Sequence, residues 1–404
     1  MMTRISAAAA LAASLFAGSL LVAGGATAQA PFRIAVLEDM SGVYADLTSH
    51  NIDAVRLAAE DFGGKVLGRP IEVLFADHQN KADIASAVAR KWYDVEDVKM
   101  ITGLGNSSIA LAVQKVAEEK KRINIVTTAA STDLTGKACT PYSVHWTYDT
   151  YALAQTIGNA VVKSGGDTWF FLTADYAFGH ALERDVAELV KKNNGKVLGQ
   201  VRHPLNTQDF SSFLLQAQAS KAKIIGLANA GGDTINSIKQ AAEFGIVKGG
   251  QQLAGLLVFI TDVNALTLPV AQGLFVAESF YWDLNDETRA WTKRFRAKKN
   301  VVPSMLMAGV YGAATHYLKA VQAAGTDDPV AVMAKMKEMP VNDFYTKNGK
   351  VREDGRVIRN MYLFQVKTPA ESKGQFDYYK LMGTVPGEQA FRPLKDGGCP
   401  HVKS

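Results

Sequence analysis

Short apolar runs alternate with segments of helical spacing along residues 33–128. The runs are Arg33–Leu37, Ile71–Phe75, Lys99–Thr102 and Ile123–Val126. Nearly continuous hydrophobicity of this kind is typical of strands that are buried on both faces of a parallel sheet. The segments between the runs place apolar residues three and four positions apart, as an amphipathic helix does. The pattern therefore predicts a doubly wound α/β lobe.

The same pattern starts again near residue 169. Its runs are Trp169–Thr173, Val197–Val201, Ile224–Leu227 and Leu256–Ile260. Helical segments separate these runs, so we expect a second Rossmann-like lobe with the architecture of the first. The two halves share this architecture without a repeat at the level of individual residues.

Beyond the second set of runs the order of elements changes. One strand is predicted over Phe275–Trp282, and helices are predicted over Glu287–Lys299, Met305–Ala324 and Pro329–Met339. Because helices without strands between them cannot extend a parallel sheet, we expect them to return and cover the first lobe. A hairpin signal, Asp354-Gly355, follows them. A chain that crosses between two lobes more than once forms a hinge rather than a linker.

These elements divide the chain into a leader and two lobes. We expect a signal peptide over residues 1–28, a first lobe over 29–148 and 283–342, and a second lobe over 149–282 and 343–404 with the hinge crossovers. A chain of 404 residues is longer than one hydrophobic core usually organises. The predicted fold class is therefore α/β with two doubly wound lobes.

The N-terminus has the composition of a secretory signal peptide. Arg4 supplies its positive charge, and the apolar run Ala7–Val22 is short and alanine-rich for a membrane span. The small residues Ala26 and Ala28 predict cleavage before Gln29. An uncleaved N-terminal anchor is the alternative. With the signal peptide removed, we expect a periplasmic protein.

Charge and cysteine content narrow the choice of partners and compartment. The formal net charge is +5, and the basic residues are scattered along the chain. This composition argues against binding to nucleic acid or anionic lipid. We also expect a monomer. In an oxidising compartment Cys139 and Cys399 are expected to form a disulfide, with two buried free thiols as the alternative.

The sequence lacks the common catalytic motifs. It contains no Gly-x-Ser-x-Gly elbow, no His-Glu-x-x-His and no Cys-x-x-Cys. Gly103-Leu-Gly105 is similar to a dinucleotide-binding loop, but Ser108 stands where the third glycine is needed. We therefore predict that the protein is not an enzyme, and we expect no cofactor and no metal site.

Two loops that follow predicted strands are rich in small hydroxylated residues. Asn106 and Ser107 precede a predicted helix, where they can cap its first turn. A helix N-terminus at the carboxyl edge of a parallel sheet also binds anions through its free N–H groups. Thr127–Thr132 follows the next strand and supplies further donors. The two loops predict a carboxylate clamp, and ordinary turn chemistry is the alternative.

Five segments resemble the periplasmic leucine/isoleucine/valine-binding protein family in order and spacing. They are Met40–Tyr44, Gly103–Ser108, Ala129–Thr135, Asp175–Gly179 and Pro204–Phe210. No single segment is diagnostic, but the ordered set spans most of the chain after the leader. The resemblance implies two doubly wound lobes joined by a three-crossover hinge, which close on a ligand and dock onto an ABC-type permease.

The resemblance also implies a set of ligand-binding residues. Those of the first lobe are Tyr44, Asn106, Ser107, Ala129, Ala130 and Ser131. Those of the second lobe are Tyr176, Phe178, Asn229, Asp262 and Tyr281. The ligand carboxylate would meet Ser107, Ser131 and the backbone of Ala129 or Ala130. Tyr44 would cover the cleft from the first lobe, and Tyr176 and Phe178 from the second.

Aromatic residues are frequent in the predicted walls of the cleft. They are Tyr44, Trp146, Tyr148, Tyr176, Phe178, Tyr281 and Trp282. We expect about half of these aromatic side chains to line the cleft and the others to pack in the core or the hinge.

Two departures from the family pattern leave the ligand open. Amino-acid binders of the family hold the ligand ammonium with an acidic side chain near the position of Thr261 and Asp262. A stretch where a cleft tyrosine can occur reads Met305–Met307 here. A buried ammonium needs a compensating charge. If Asp262 faces the cleft, we expect a branched-chain-type amino acid; if it does not, we expect an aromatic or apolar carboxylic acid.

The resemblance implies a periplasmic solute-binding component of an ABC-type importer. It would capture a small carboxylate-bearing ligand by hinge closure and deliver it to a membrane permease. The alternative is a ligand-sensing receptor component on the same fold that feeds a regulator.

Overall fold

The computed structural model describes residues 30–403. The predicted signal peptide over 1–28 lies outside the described residues. In the described part of the chain, no helix is both long enough and apolar enough to span a bilayer. Strands and helices alternate through most of this part, as the hydrophobic pattern predicts.

A six-stranded sheet forms the centre of the first lobe. Its strands are β1 (Phe32–Glu38), β2 (Lys65–Val66), β3 (Arg69–Asp77), β4 (Val98–Gly103), β5 (Ile123–Val126) and β6 (Ser143–His145). The helices are α1 (Ala45–Thr48), α2 (Asn51–Asp61), α3 (Ala82–Asp94) and α4 (Ser107–Lys120), and Thr132–Leu134 forms a 3₁₀ turn. The strand order is β2-β3-β1-β4-β5-β6, and all neighbours are parallel except β2 and β3.

A four-stranded parallel sheet forms the centre of the second lobe. Its strands are β7 (Thr168–Ala174), β8 (Lys196–His203), β9 (Ile224–Ala228) and β10 (Gln252–Gly255). The helices are α5 (Thr150–Leu153), α6 (Asn159–Lys163), α7 (Ala177–Lys192), α8 (Ser211–Ala219), α9 (Gly232–Glu243), α10 (Ile260–Leu266) and α11 (Leu268–Ala271), with a π-helical turn at Ala154–Gly158. The order β10-β9-β7-β8 repeats the order β5-β4-β1-β3 of the first lobe.

The C-terminal third of the chain contributes elements that pack on both lobes. Its elements are β11 (Phe275–Glu278), α12 (Asp286–Lys299), α13 (Met305–Ala324), α14 (Pro329–Glu338), β12 (Lys350–Val351), β13 (Val357–Ile358), β14 (Met361–Val366), β15 (Tyr379–Val385) and α15 (Gly387–Ala390), with a 3₁₀ turn at Leu394–Asp396. Helix α13 packs on α2 of the first lobe, as predicted. The predicted hairpin is β12-β13, and β11, β14 and β15 form a small antiparallel sheet.

One predicted strand is wrong. Leu256–Ile260 is not a strand, because β10 ends at Gly255 and α10 begins at Ile260. The run is apolar because its side chains are buried, with Leu257 and Phe259 no more than 3% exposed. Burial in a loop wall and burial in a parallel strand produce the same hydrophobic pattern.

Residues 343–404, which the sequence pattern places in the second lobe, make contacts that lead to both lobes. Strand β14 pairs with β11, which follows the second sheet along the chain. Two other contacts lead to the first lobe: Arg356 bridges to His145 of β6, and Cys399 is disulfide-bonded to Cys139. We therefore propose that only residues 361–385 of this segment belong with the second lobe.

A buried arginine joins the crossovers of the hinge. The chain passes between the lobes after β6, after β11 and before β14. Arg356, in the last of these passages, is fully buried. Its Nη1 donates to the carbonyl of Tyr148 at 2.8 Å and lies 3.6 Å from Oδ2 of Asp149, both in the first passage. Because a buried charge requires polar partners, this contact holds the first and last crossovers together.

Loss of the disulfide is expected to destabilise the protein. It links residues separated by 260 positions, so it restricts the unfolded chain strongly. Replacing Cys139 and Cys399 by serine should lower the free energy of unfolding by about 2–5 kcal/mol. Chemical denaturation measures this change, and a thiol titration of the unfolded, unreduced protein should find no free thiol. Two titratable thiols would contradict the bond.

Candidate ligand-binding site

A small cavity lies where the carboxyl ends of the two parallel sheets face each other. Its volume is about 20 Å³, which is room for a water molecule. Its walls come from both lobes and the first crossover: Tyr44, Leu47, Gly105, Thr128, Ala129, Ala130, Tyr148, Tyr176, Phe178, Ala230, Leu257, Phe259 and Leu306. All of these residues are uncharged. A ligand with several carbon atoms fits only if the lobes separate and then close around it.

The first-lobe wall consists of the loops that follow β1, β4 and β5. Gly105 follows β4, and Thr128, Ala129 and Ala130 follow β5. A side chain at Gly105 would lie 2.7 Å from Oε2 of Glu38, so only glycine leaves room for that carboxyl group. Parallel strands bring such loops to one edge, which is where open α/β sheets bind ligands.

The second-lobe wall is largely aromatic. Tyr176 and Phe178 stand at the start of α7, with ring centroids 5.9 Å apart. Leu257 and Phe259 come from the loop after β10, and Phe259 lies edge-on to Tyr148 at 6.3 Å. These rings provide flat apolar surfaces that can pack on both sides of a ligand.

The lobes touch each other at the cavity. The hydroxyl groups of Tyr44 and Tyr176 hydrogen-bond to each other across the cleft. The backbone N–H of Gly232 donates to the carbonyl of Val43 at 3.5 Å. Gly231 has a φ of +58°, and a side chain there would lie 3.0 Å from the same carbonyl. Glycine at this position therefore permits the close approach of the two lobes.

The sequence-predicted hydroxyl residues lie behind the first-lobe wall. Asn106 accepts hydrogen bonds from the N–H groups of Ser108 and Ile109 and so caps α4. Oγ of Ser107 accepts from the N–H groups of Ala130 and Ser131 at 3.3 and 3.2 Å. The predicted loops therefore do meet, but the residues of these loops that face the cavity are Gly105, Thr128, Ala129 and Ala130.

Three predicted second-lobe residues do not line the cavity. The Asn229 side chain accepts from Thr234 at 2.7 Å and lies 3.2 Å from Nε2 of His203. The Tyr281 hydroxyl donates to the carbonyl of Phe376 at 3.1 Å. Asp262 accepts from the N–H of Phe259 at 2.9 Å and so caps its own helix, α10. One oxygen of the acidic side chain on which the choice of ligand depended is therefore bound to the backbone of its own helix.

About half of the candidate aromatic residues line the cavity. Tyr44, Tyr148, Tyr176 and Phe178 do so, whereas Trp146, Tyr281 and Trp282 pack elsewhere. Gly105 and Thr128 lie within the two predicted loops but were not singled out, and five further wall residues were not predicted: Leu47, Ala230, Leu257, Phe259 and Leu306. Their apolar or small side chains carry no signal that separates a cavity wall from the core.

A buried carboxyl group lies directly behind Gly105 and Thr128. Glu38, the last residue of β1, is 1% exposed, and its Oε1 accepts from Nδ2 of Asn51 at 2.6 Å and from Oγ1 of Thr128 at 2.7 Å. Its Oε2 is buried without a hydrogen-bond partner. Burial raises the pKa of Glu38 to about 8, although these hydrogen bonds oppose the shift.

Comparison with known proteins identifies the family. A family described as periplasmic binding protein matches residues 31–375. The chain belongs to this family. Its relatives are solute-binding proteins of the ABC-transporter type, which confirms the expected α/β fold of two doubly wound lobes and the prediction that the protein is not an enzyme.

Three known proteins are similar to this binding protein over most of its length. The crystal structure of a periplasmic binding protein from Burkholderia mallei is 54% identical, with a TM-score of 0.90 over 92% of this chain and 99% of that one. A branched chain amino acid ABC transporter periplasmic ligand-binding protein from Burkholderia xenovorans is 40% identical, with a TM-score of 0.82 and the same coverage. A Leu/Ile/Val-binding protein homolog from Brucella melitensis is 24% identical over 83% of this chain and 87% of its own length.

Removal of the Tyr176 hydroxyl should favour separation of the lobes. The Tyr176→Phe variant loses the hydrogen bond to Tyr44, worth about 0.5–1.5 kcal/mol. Small-angle scattering of the protein alone should then give a larger radius of gyration. Tyr281→Phe is the matched control, because its hydroxyl group donates to Phe376 and not across the cleft. Identical scattering from Tyr176→Phe and the parent would contradict the prediction.

Glu38 should make the stability of the binding protein depend on pH. Its folded-state pKa, about 8, is above the ordinary value of 4.5, so the folded protein retains a proton that the unfolded chain releases. The stability contributed by neutral Glu38 is complete below about pH 4.5 and is lost as the pH rises to about 8.

Replacement by a neutral side chain isolates this contribution. The Glu38→Gln variant should lose less unfolding free energy than the parent between pH 5 and pH 8, as measured by chemical denaturation. The exposed Glu243, replaced by glutamine, is the control and should follow the parent. Equal losses in Glu38→Gln and the parent would show that Glu38 ionises normally.

Proposed function

We propose that this binding protein captures a small carboxylic acid with an aromatic or branched aliphatic body. The observation that carries the proposal is the composition of the cavity wall, which combines aromatic and aliphatic side chains with hydroxyl groups and has no charged side chain. Burial of an apolar ligand body against such a wall is favourable. The wall contains no acidic side chain that could compensate an ammonium group.

The polar end of the ligand would bind to the first lobe. The N–H groups of Ala130 and Ser131 are directed at Oγ of Ser107 over relatively long distances of 3.3 and 3.2 Å, so a carboxylate could replace that hydroxyl as their acceptor. The N-terminus of α4 begins at the same place and favours negative charge. The hydroxyls of Tyr44 and Tyr176 would complete the contacts as the lobes close.

A branched-chain amino acid is the second candidate ligand. The 40% identical structure from Burkholderia xenovorans and the Brucella relative are both named for such ligands. The contacts of Asp262 argue against it, because this carboxyl group already accepts from its own helix and lies outside the cavity wall. An amino acid would therefore leave its ammonium unpaired in an apolar site.

Capture would proceed by hinge closure and delivery to a membrane permease. The contacts between Tyr44 and Tyr176 and between Val43 and Gly232 exist only when the lobes meet. A ligand drives closure to the extent that it binds the closed form more tightly. The permease partner and a monomeric state remain part of this proposal, and reconstituted transport of the bound acid would distinguish an importer component from a sensor.

A matched pair of ligands tests the proposal. Leucine and 4-methylpentanoate have the same carbon skeleton and differ only in the ammonium group. We expect 4-methylpentanoate or benzoate, but not leucine, to raise the melting temperature, since a ligand at about 100 times its Kd stabilises by ~2.7 kcal/mol.

The Asp262→Asn variant provides the control for this test. It should retain the affinity for the acid, because asparagine can also cap the helix. Stabilisation by leucine that Asp262→Asn abolishes would instead establish the amino-acid ligand.

A further inference from the structure

The carboxyl group of Glu38 lies one layer behind the proposed ligand site. It is enclosed by the loop after β4, where side chains at Gly103 and Gly105 would lie 2.8 and 2.7 Å from its two oxygens. Its other neighbours are Asn51 of α2 and Thr128 after β5. Two of these four residues, Gly105 and Thr128, line the cavity directly. Glu38 is therefore adjacent to the ligand site and determines the shape of its first-lobe wall.

The groups that face Glu38 from the surrounding elements do not neutralise it. Its hydrogen-bonding neighbours are uncharged, and the charged group that acts on it is Asp39, another acid. His78, at the end of β3, lies near Asp39 and Asp77, but burial lowers its pKa to about 4, so it is neutral at physiological pH. On the cavity side stands Tyr148, with Asp262 and Glu278 of the second lobe beyond it.

The unpartnered oxygen of Glu38 makes an ionised state unfavourable. Oε2 is buried and makes no hydrogen bond of good geometry, although the backbone N–H of Gly105 acts on the carboxyl group. An ionised carboxylate at this place would be only half satisfied, and a second negative charge in the cavity would repel it at short range through a medium of low dielectric constant. A neutral carboxyl group would cause no such repulsion.

We propose that Glu38 is a positioning residue that links ligand capture to a proton. Its neutral form holds Gly105 and Thr128 in place for an anionic ligand, and its ionised form opposes that ligand. This inference rests on the carboxylate ligand proposed above. Glu38 therefore determines whether the closed complex holds an additional proton, although its own side chain does not line the cavity.

The pH dependence of affinity has a definite sign. Benzoate is ionised at every pH above about 6, so only the protein titrates. Below the pKa of Glu38 in the free protein, about 8, affinity for benzoate should be constant. Above it, affinity should fall by up to about tenfold per pH unit, because binding then requires uptake of a proton.

Calorimetry with benzoate and 4-methylpentanoate as probes tests the proposal. Titrations at about pH 9 in two buffers of different ionisation enthalpy count the protons taken up, and we expect the number to approach one per ligand. Benzamide has the same ring without the charge, so its affinity should not change with pH. A purely structural role of Glu38 would alter affinity without changing the proton count.

Three variants assign the proton to a residue. Glu38→Gln should bind benzoate with an affinity that does not change between pH 6 and pH 9. Asn51→Leu removes a donor to Oε1 without altering the cavity wall, so it should move the loss of affinity to higher pH even if Glu38→Gln fails to fold. Asp262→Asn should keep the parent profile. A flat profile in Asp262→Asn, with the parent slope retained in Glu38→Gln, would overturn the assignment.

The outcomes separate this inference from the proposed function. Binding of an acid with the same affinity at all pH values and without proton uptake would overturn the role of Glu38 and leave the proposed function intact. If neither acid binds at any pH, the carboxylate ligand is wrong and the proton linkage is wrong with it.

Discussion

The buried guanidinium of Arg356 is the constraint on which the rest of the molecule depends. It binds the carbonyl of Tyr148 and lies beside Asp149, so the last crossover is fastened to the first. A fully buried charge can occupy few positions, because moving it breaks hydrogen bonds in a medium of low dielectric constant. Tyr148, whose carbonyl accepts this hydrogen bond, also forms part of the cavity wall. The geometry of the cleft is thus set at the hinge.

Hydrophobic pattern predicted the elements wherever burial and regular structure coincide. Strand β5 and helix α13 have the bounds that the sequence indicates, and α13 is closed by Ser304 at its start and Gly325 at its end. The pattern failed at Leu256–Ile260, where apolar side chains are buried in a loop. The contacts of residues 343–404 with β6 and with Cys139 are tertiary, so local periodicity does not encode them, although the two cysteines did predict the disulfide.

The sequence predicted which loops form the candidate site, but not which atoms of those loops face the cavity. Tyr44 and Tyr176 carry an aromatic signal and face the cavity, whereas Ser131, an equally plausible ligand residue, caps its own turn. Polar residues in loops satisfy either a ligand or their own backbone, and the sequence is the same in both cases. Glu38, in contrast, was not predicted to belong to the site. An acid at the end of an apolar strand gives no sign in the sequence that two glycines will enclose it.

The bond between Cys139 and Cys399 makes the chain a covalent ring. It starts and ends on the first lobe and contains all four strands of the second sheet. A single backbone cut anywhere within the ring, for instance in an exposed loop of the second lobe, opens it without releasing a fragment. Two events, cleavage and reduction, are needed to separate the pieces. The ring thus protects the molecule against dissociation after proteolytic nicking wherever disulfides persist.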